Sequence, residues 1–563
     1  MLLINPASEK FGGFLSRYVP IGIPVAVGSL AGYLRAHGIR VNVLDEEVTD
    51  VTPESLRAAL EGLEKPYVIG FSCLTAHVAR AYQMSKMVKE LYPDSIVVTG
   101  GLHATALPEE SLAHDSIDVV VRGEGEVALL ELYRAIREGR SWDHIGNLSY
   151  RKNGTIQQNP EAPLIPDLDD LPMFPYEMFT HPRYDRGFIT SSRGCPYKCT
   201  YCSQRMLTGT SYRYKSARRI VDELQVLVEQ YDQKQIYFYD DNFSFKQKRV
   251  IDVCDQIVER GLNKKCTFAI QTRADNIPDA IIPAIRKANF VHVGFGMETG
   301  SERLAKVIVK GETVEDHIDA VKRCQKVGLE VSLYMIFGLP TETAKEREDT
   351  FHLVQGMNVQ MAKYNNLIPY PGTPLYTDLK NSSRVRVSQG WTNFNSTLSA
   401  TRSIFNKTPL PYVPETMGEY ELKRDIIRYN FRTYIRWKPI LAILTHQKAT
   451  GFVELPKRWY LKPIEIYHVA RIGLNVAINL LVAYLPIWMT QPLMHALNPA
   501  LKERMPVPME KEYVTSGWGL PSEHTKMSVI RAQQPRSRDH ENHDHERAPV
   551  LISPVRRKET ARV

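Results

Sequence analysis

Short apolar runs alternate with amphipathic stretches over residues 1–140, the pattern of a doubly wound parallel sheet with helices on both faces. Leu2 to Ile4, Val41 to Leu44, Tyr67 to Phe71, Ile96 to Thr99 and Asp118 to Val121 read as strands, with Val25 to His37 and Ala76 to Leu91 as helices between them. From 141 to 187, prolines at Pro160, Pro163, Pro166, Pro172, Pro175 and Pro182 break any long helix and predict an ordered connector. The alternation returns over 188–378, with strands expected at Phe188 to Ser192, Ile236 to Tyr239, Cys266 to Ile270, Phe290 to Phe295, Glu330 to Ile336 and Ala362 to Leu367. Six such units predict a partial (β/α)6 barrel, so the chain is α/β in both halves. Residues 379–512 read as a mainly helical region and 513–563 as a disordered polar tail.

Composition narrows the class. With 563 residues, 43% of them apolar, the chain can bury several cores. Its seven cysteines are an odd number with three clustered, which points to a reducing, cytoplasmic compartment and away from a disulfide framework. Met1 opens directly into a strand with no basic or apolar leader, so no secretory signal is expected. A net charge of +8 is modest for this length and gathers toward the C-terminus, so no nucleic-acid partner is expected.

The chemistry concentrates in Arg193-Gly194-Cys195-Pro196-Tyr197-Lys198-Cys199-Thr200-Tyr201-Cys202. Thiolates at i, i+4 and i+7 of one loop can converge on a metal centre, and Gly194 and Pro196 suit a loop better than a helix or strand. The next cysteine is Cys254, whereas a structural zinc ion wants a fourth ligand nearby. From spacing alone an iron–sulfur loop, structural zinc and plain core cysteines all stand.

With Tyr201 before the last cysteine, the loop resembles that of the radical S-adenosylmethionine enzymes. The resemblance implies that Cys195, Cys199 and Cys202 hold three irons of a 4Fe-4S cluster while S-adenosylmethionine chelates the fourth. An electron, from a donor such as flavodoxin or ferredoxin, would then release a 5'-deoxyadenosyl radical. It also assigns the strand ends. Tyr201 fills the family's aromatic slot. Asp240 or Asp241, in place of the usual Gly-Gly-Glu, would meet the cofactor's ammonium. Gln271 and Arg273 would meet its ribose or carboxylate, Glu298 its polar end, and Pro340 in Phe337-Gly338-Leu339-Pro340 its adenine side. The loop from Pro369 to Pro374 would close the site.

The N-terminal strand ends carry Ser72 to Thr75, Gly100-Gly101-Leu102-His103 and Arg122-Gly123-Glu124-Gly125-Glu126. Read physically, these are either ordinary turns or a ledge that a large flat ligand can approach. Their order is similar to that of the cobalamin-binding domain preceding many radical S-adenosylmethionine enzymes. That likeness implies cobalamin contacts from Ser72, Thr75, Gly100, Gly101, His103, Gly123 and Glu124. The Asp-x-His-x-x-Gly motif is absent, because no histidine follows Asp45 at that spacing, so His103 is expected to shape its loop and not to ligate cobalt.

Near the C-terminus, Arg424 to Ile443 reads as a helix of mixed character. Ile472 to Met489 is the most apolar stretch, preceded by Lys457, Arg458, Lys462 and Arg471. It reads as a buried helix pair, an interfacial segment on the inner face of the membrane, or a span. The function expected is methylation of an unactivated carbon of a hydrophobic or natural-product small molecule, using cobalamin. The alternatives are oxidative cyclisation or rearrangement of a tetrapyrrole or lipid, and a non-catalytic metal or corrinoid module.

Overall fold

The computed structural model describes residues 1–7, 21–381, 384–388, 390–395, 408–434 and 463–497. Its first sheet contains β1 (Leu2–Asn5), β2 (Asn42–Asp45), β3 (Val68–Ser72), β4 (Ile96–Gly100), β5 (Val119–Val121), β6 (Leu148–Lys152) and β7 (Thr155–Gln158). They lie in the order β2-β1-β3-β4-β5-β6-β7, parallel up to β5 and antiparallel after it. The parallel strands are apolar on both faces because helices cover both. Leu3, Val68, Val98, Val119 and Val121 share a core with residues of α1 (Val25–Ala36) and α2 (Glu126–Glu138), while Leu2, Ile4, Ile69, Phe71, Val97 and Val120 enter the core opposite. Strand order reverses between β1 and β3, and ligands of such sheets sit beyond the C-terminal strand ends there.

Strands β6 and β7 move the expected domain boundary. Residues 148–158 belong to the N-terminal sheet and not to the connector. The signal was Asn153-Gly154, both at positive φ, which is the dipeptide of a tight hairpin.

The second sheet is parallel throughout and runs in chain order: β8 (Phe188–Ile189), β9 (Gln235–Phe238), β10 (Thr267–Thr272), β11 (Phe290–Glu298), β12 (Glu330–Phe337) and β13 (Met361–Asn366). Its first strand is shorter than expected. After Ile189 the chain leaves the sheet, and Ser192–Arg193 pairs antiparallel with Arg213–Tyr214, which brackets the cysteine loop between two short strands. Helix formation follows local rules. Ser216 Oγ accepts the Arg219 N–H at 3.2 Å at the start of helix Ala217–Glu229, whose Ile220, Val221, Leu224, Leu227 and Val228 are buried.

Two features join the C-terminal region to the barrel. The first is at the free edge of β13, where a neighbouring chain could otherwise add. Asn430 of helix α4 (Glu419–Tyr434) accepts the Tyr364 N–H at 3.2 Å and donates to the Tyr364 carbonyl at 2.8 Å. The second is Arg347, fully buried on α3 (Ala344–Gly356), whose Nε and Nη2 donate to Asp425 Oδ2 at 2.9 and 2.8 Å while Nη2 reaches Glu421 at 2.7 Å. The N-terminal core is not closed either: it runs on into Leu304, Leu339, Leu367, Trp391, Phe394 and Tyr412.

The expected helix from Arg424 begins earlier, at Glu419, and its stretch past 434 lies outside the described residues, as does the 513–563 tail. The apolar stretch is divided at Pro486 between α5 (Pro463–Tyr484) and α6 (Ile487–Leu497). None of the described helices is long and apolar enough to cross a membrane.

Removing Arg347 strands the Asp425 carboxylate, which burial already pushes up and the guanidinium pulls down. Arg347→Ala is expected to cost about 3–5 kcal/mol, the usual loss when one partner of a buried pair is deleted. Urea unfolding of Arg347→Ala and of Arg347→Met/Asp425→Leu checks this: the double variant should recover most of the loss, and an unchanged midpoint in the single variant would refute the assignment.

Candidate functional site

The cysteine loop is held by backbone bonds at both ends. Gly194 sits at φ +89°, and a Cβ there would come within 2.1 Å of the Ser211 carbonyl oxygen, so only glycine fits before Cys195. Downstream, the Thr200 N–H donates to the Ile308 carbonyl at 3.0 Å, and the Leu375 N–H donates to the Thr200 carbonyl at 3.1 Å. All three cysteines are free thiols; Cys199 is buried and the other two are half-buried. Burial pushes the Cys202 thiol up to about 11, with Asp241, Cys199 and Cys195 adding to the shift. Cys195 is raised by burial, and it too feels Asp241 and Cys199. The three thiols lie on one loop of eight residues, and Asp241 is near enough to act on both Cys195 and Cys202. Among the described residues no group of three or more His, Cys, Asp or Glu side chains is arranged to hold a single metal ion. Three cysteines without a nearby fourth ligand are the donor set of an iron–sulfur cluster and not of a closed single-ion site, so Cys195, Cys199 and Cys202 would hold such a cluster.

The adjacent carboxylates that could not be ranked in the sequence differ in exposure, Asp240 being buried and Asp241 exposed. Asp240 is spent: Oδ1 accepts the N–H groups of Ser191 at 2.7 Å and Ser192 at 3.1 Å, the Ser191 hydroxyl bonds Oδ2, and Arg249 lies 3.6 Å away. It braces the segment leading into the cysteine loop and has no oxygen left for a cofactor. Asp241 keeps its capacity. It accepts one bond, from the Gly194 N–H at 3.2 Å, and is solvent-accessible beside the thiols. Although its rim is open, the protein packed around the carboxylate displaces part of its hydration, and with the charge of Asp240 this pushes it up to about 6.

Arg273 is likewise occupied. Its fork engages Asp275 at 3.0 and 2.8 Å, Nη1 donates to the Lys310 carbonyl at 2.8 Å, and the guanidinium stacks 3.5 Å from the Tyr197 ring centre. The expected bidentate grip on a cofactor carboxylate is thus replaced by an internal one, which fixes Tyr197 within the loop. Gln271 Oε1 accepts the Tyr237 hydroxyl at 3.0 Å. Pro340 lies half-buried in the turn after β12, next to Gly338 at φ +82°.

Glu298 ends β11 at φ +67°, and its Oε1 accepts the Tyr201 hydroxyl at 2.9 Å and Lys310 Nζ at 3.4 Å. Gly296 makes room for it, since a Cβ there would stand 2.6 Å from that oxygen. Lys310 is buried between Glu298 and Glu312, the latter at 3.2 Å, and these carboxylates raise its pKa against the effect of burial. Lys310 and Glu312 escaped the sequence reading, although a Lys-Gly-Glu triplet after an apolar helix was the available signal.

On the N-terminal side, Ser72, Gly100, Gly101 and Gly123 form a partly accessible ledge of small residues, with Leu74 half exposed beside it and Thr75 buried behind. Such a ledge suits a broad planar ligand. Gly101, at φ +91°, also lets the β3 and β4 turns touch, because a Cβ would come 2.8 Å from the Cys73 carbonyl oxygen. Two of the expected ligand residues have other work. His103 is fully buried, its Nε2 2.8 Å from Glu110 and its ring edge-on to Trp391 at 5.2 Å. Glu124 binds Arg193 at 3.1 Å and Arg213 at 2.9 and 2.6 Å, and Arg193 also reaches Glu126 at 2.6 Å.

These ion pairs bring the C-terminal edges of the two sheets together. Ala106, after β4, stands 3.0 Å from the position of a Gly372 Cβ, and Met206, just past the cysteine loop, crowds the same glycine. The segments that follow β4 and the cysteine loop therefore meet at Gly372.

Comparison with known proteins agrees with this two-part site. A model of the radical SAM superfamily matches residues 189–354, and one of the B12 binding domain matches residues 14–133. An uncharacterized methyltransferase of Pyrococcus horikoshii is 32% identical over 383 residues, 67% of this chain and 82% of the relative. An anaerobic magnesium-protoporphyrin IX monomethyl ester cyclase of Rubrivivax gelatinosus is 30% identical over 393 residues, covering 67% and 70%. In fold, the chain is similar to the cobalamin-dependent radical enzyme OxsB (TM-score 0.64, 15% identity, 94% of this chain and 80% of that one). It is also similar to the methyltransferase TsrM of Kitasatospora setae (TM-score 0.60, 17% identity, covering 89% and 99%). With both domain models matched in this order and a relative 32% identical over two thirds of the chain, the chain belongs to the radical S-adenosylmethionine enzymes that carry an N-terminal cobalamin-binding domain.

Proposed function

We propose that this enzyme transfers a methyl group to an unactivated carbon of a hydrophobic small molecule, such as a natural product. The observation that carries the reading is the convergence of both strand-end edges through Glu124, Glu126, Arg193 and Arg213. A carbon held between them could lose a hydrogen on one side and gain a methyl group on the other. When bound, the cluster supplies the electron that cleaves the sulfonium of S-adenosylmethionine, and cobalamin supplies the methyl group.

The chain's own residues hold and orient. Cys195, Cys199 and Cys202 would ligate the cluster. Asp241, with one backbone donor and an open oxygen, is the carboxylate that would take the cofactor's ammonium. Glu298 is aimed by Tyr201 and Lys310, which leaves its second oxygen for the same polar end. Gln271 would reach the ribose and Pro340 the adenine. Ser72, Thr75, Gly100, Gly101 and Gly123 would line the corrinoid, while His103 and Glu124 act on the frame around it. A small soluble electron carrier such as flavodoxin or ferredoxin would feed the cluster. Oxidative cyclisation is the second reading, supported by the cyclase relative.

The C-terminal helices suggest where the substrate comes from. Tyr467, Leu474, Leu481 and Trp488 recur every seven residues, each more than half exposed, with Ile464 and Tyr484 beside them. Arg436, Lys438, Lys448, Lys457, Arg458, Lys462 and Arg471 accumulate in the sequence before and within α5, against Glu454 and Glu465. An apolar stripe next to a basic segment suits the surface of an anionic bilayer, on the inner face of the membrane.

Four outcomes are expected. Anaerobic incubation with reductant should yield 5'-deoxyadenosine, with S-adenosylhomocysteine alongside it if methyl transfer is the reaction; the first product without the second would favour cyclisation. Cys199→Ala should abolish 5'-deoxyadenosine, and persistence of the product would remove the cluster assignment. Affinity for S-adenosylmethionine should rise as pH climbs through about 6, because Asp241 is neutral below that point and charged above it. Asp241→Asn should flatten that profile in equilibrium dialysis, whereas Asp240→Asn should leave its shape intact. Flotation with anionic vesicles tests the apolar stripe: Leu474→Glu/Leu481→Glu should leave the protein at the bottom of the gradient.

A further inference from the structure

The strands of the second sheet alternate between side chains packed on the helices and side chains turned to the concave side. On β13, Ala362, Tyr364 and Asn366 are buried, Tyr364 lying among Phe337, Phe351 and Tyr429. Lys363 and Asn365, between them, therefore face the barrel interior, where both keep partial access to solvent. Register places Lys363 beside Tyr334 of β12. The Tyr334 ring lies over Gly294, where a Cβ would come 3.0 Å from Cε2, and it interacts with Tyr237 and Tyr239 of the opposite wall. Tyr239 is 62% exposed next to Asp241. The interior is thus an aromatic wall of three tyrosines carrying one ammonium and one amide.

The ammonium stands apart from the other buried cations. Arg193, Arg213, Lys215, Arg273, Lys310 and Arg347 each meet a carboxylate. Among the described residues, no hydrogen bond or ion pair reaches Lys363, and burial alone lowers its pKa. Two residues on, Asn365 Oδ1 is buried with no hydrogen-bond partner. A cation partly withdrawn from water beside an unsatisfied amide costs folding free energy, and the cost is recovered if a ligand completes both. The direction follows from the wall: aromatic faces take a flat apolar body, and an ammonium takes an anion.

We propose that Lys363 and Asn365 are the substrate's anion subsite, and that the substrate is a flat aromatic or polycyclic molecule bearing a carboxylate, its ring system against Tyr237, Tyr239 and Tyr334. The inference rests on the enzyme reading above and narrows it to a substrate class. In this arrangement the carboxylate is bound at β13, on the far side of the barrel mouth from Asp241, so one molecule is fixed at a charged end while its apolar body extends toward the cysteine loop.

The test uses the full chain, purified and reconstituted without oxygen, with 1-pyrenebutyrate and its methyl ester as matched probes read by pyrene fluorescence. Wild type should bind the acid at least tenfold more tightly than the ester. Lys363→Met should weaken the acid about tenfold to the ester's level while leaving the ester unchanged, and Lys363→Arg should retain the preference. Asn365→Ala should lose part of it. Equal affinity for acid and ester, or binding of neither, overturns the proposal. So does a tenfold loss of S-adenosylmethionine affinity in Lys363→Met with pyrenebutyrate unaffected, since the lysine would then serve the cofactor's own carboxylate. A protein that makes no 5'-deoxyadenosine yet discriminates acid from ester would retire the enzyme reading and leave the subsite standing.

Discussion

The position of the cysteine loop depends on a four-membered ion cluster between the halves of the protein. Arg193 and Arg213 face Glu124 and Glu126 at separations down to 2.6 Å, mostly shielded from water. Two positive and two negative groups are neutral as a set, the condition under which buried charges recover their desolvation cost. Arg193 lies two residues before Cys195, so the N-terminal domain sets the approach of the first thiol directly. Gly194 then makes the turn that no other residue could; Asp240 holds the backbone just before it and Asp241 accepts its own N–H. The loop's geometry is imposed from three directions before any cofactor arrives.

A second charge network surrounds the space behind the thiols. Lys310, Arg273, Glu298, Glu312 and Asp275 alternate in sign, so each is held by neighbours of opposite charge. His317 lies against this network with neither ring nitrogen hydrogen-bonded among the described residues. Burial, with Lys310 and Arg273, pulls it down to about 3, which keeps it neutral at physiological pH. Charges paired in this way suit a site that must not reorganise around a reactive species.

Much of the fold was legible because short apolar runs and the amphipathic stretches between them are local properties. Each expected strand of the first 140 residues has a counterpart in the sheet. The cysteine loop was legible because its ligands are neighbours in sequence. Pairings across long separations were not. Glu124 meets Arg193 and Arg213, 69 and 89 positions away, and no local feature distinguishes that carboxylate from a ligand-facing one. Asp240 and Asp241 could not be ranked for a related reason: what separates them is that Ser191 and Arg249, distant in sequence, occupy Asp240 and leave Asp241 exposed. The hairpin at Asn153-Gly154 was readable but was outweighed by the prolines that follow it.

The apolar core under β1, β3 and β4 has no floor of its own; Leu304, Leu339, Leu367 and Trp391 complete it from beyond the connector. Such a molecule cannot work like a hinged pair of modules in which one swings away with its cargo and returns. The two cofactor platforms are halves of one body, and admission of substrate must come from loops or single side chains at the rim. Excising either half would uncover greasy surface, so neither is expected to survive as an independent fragment.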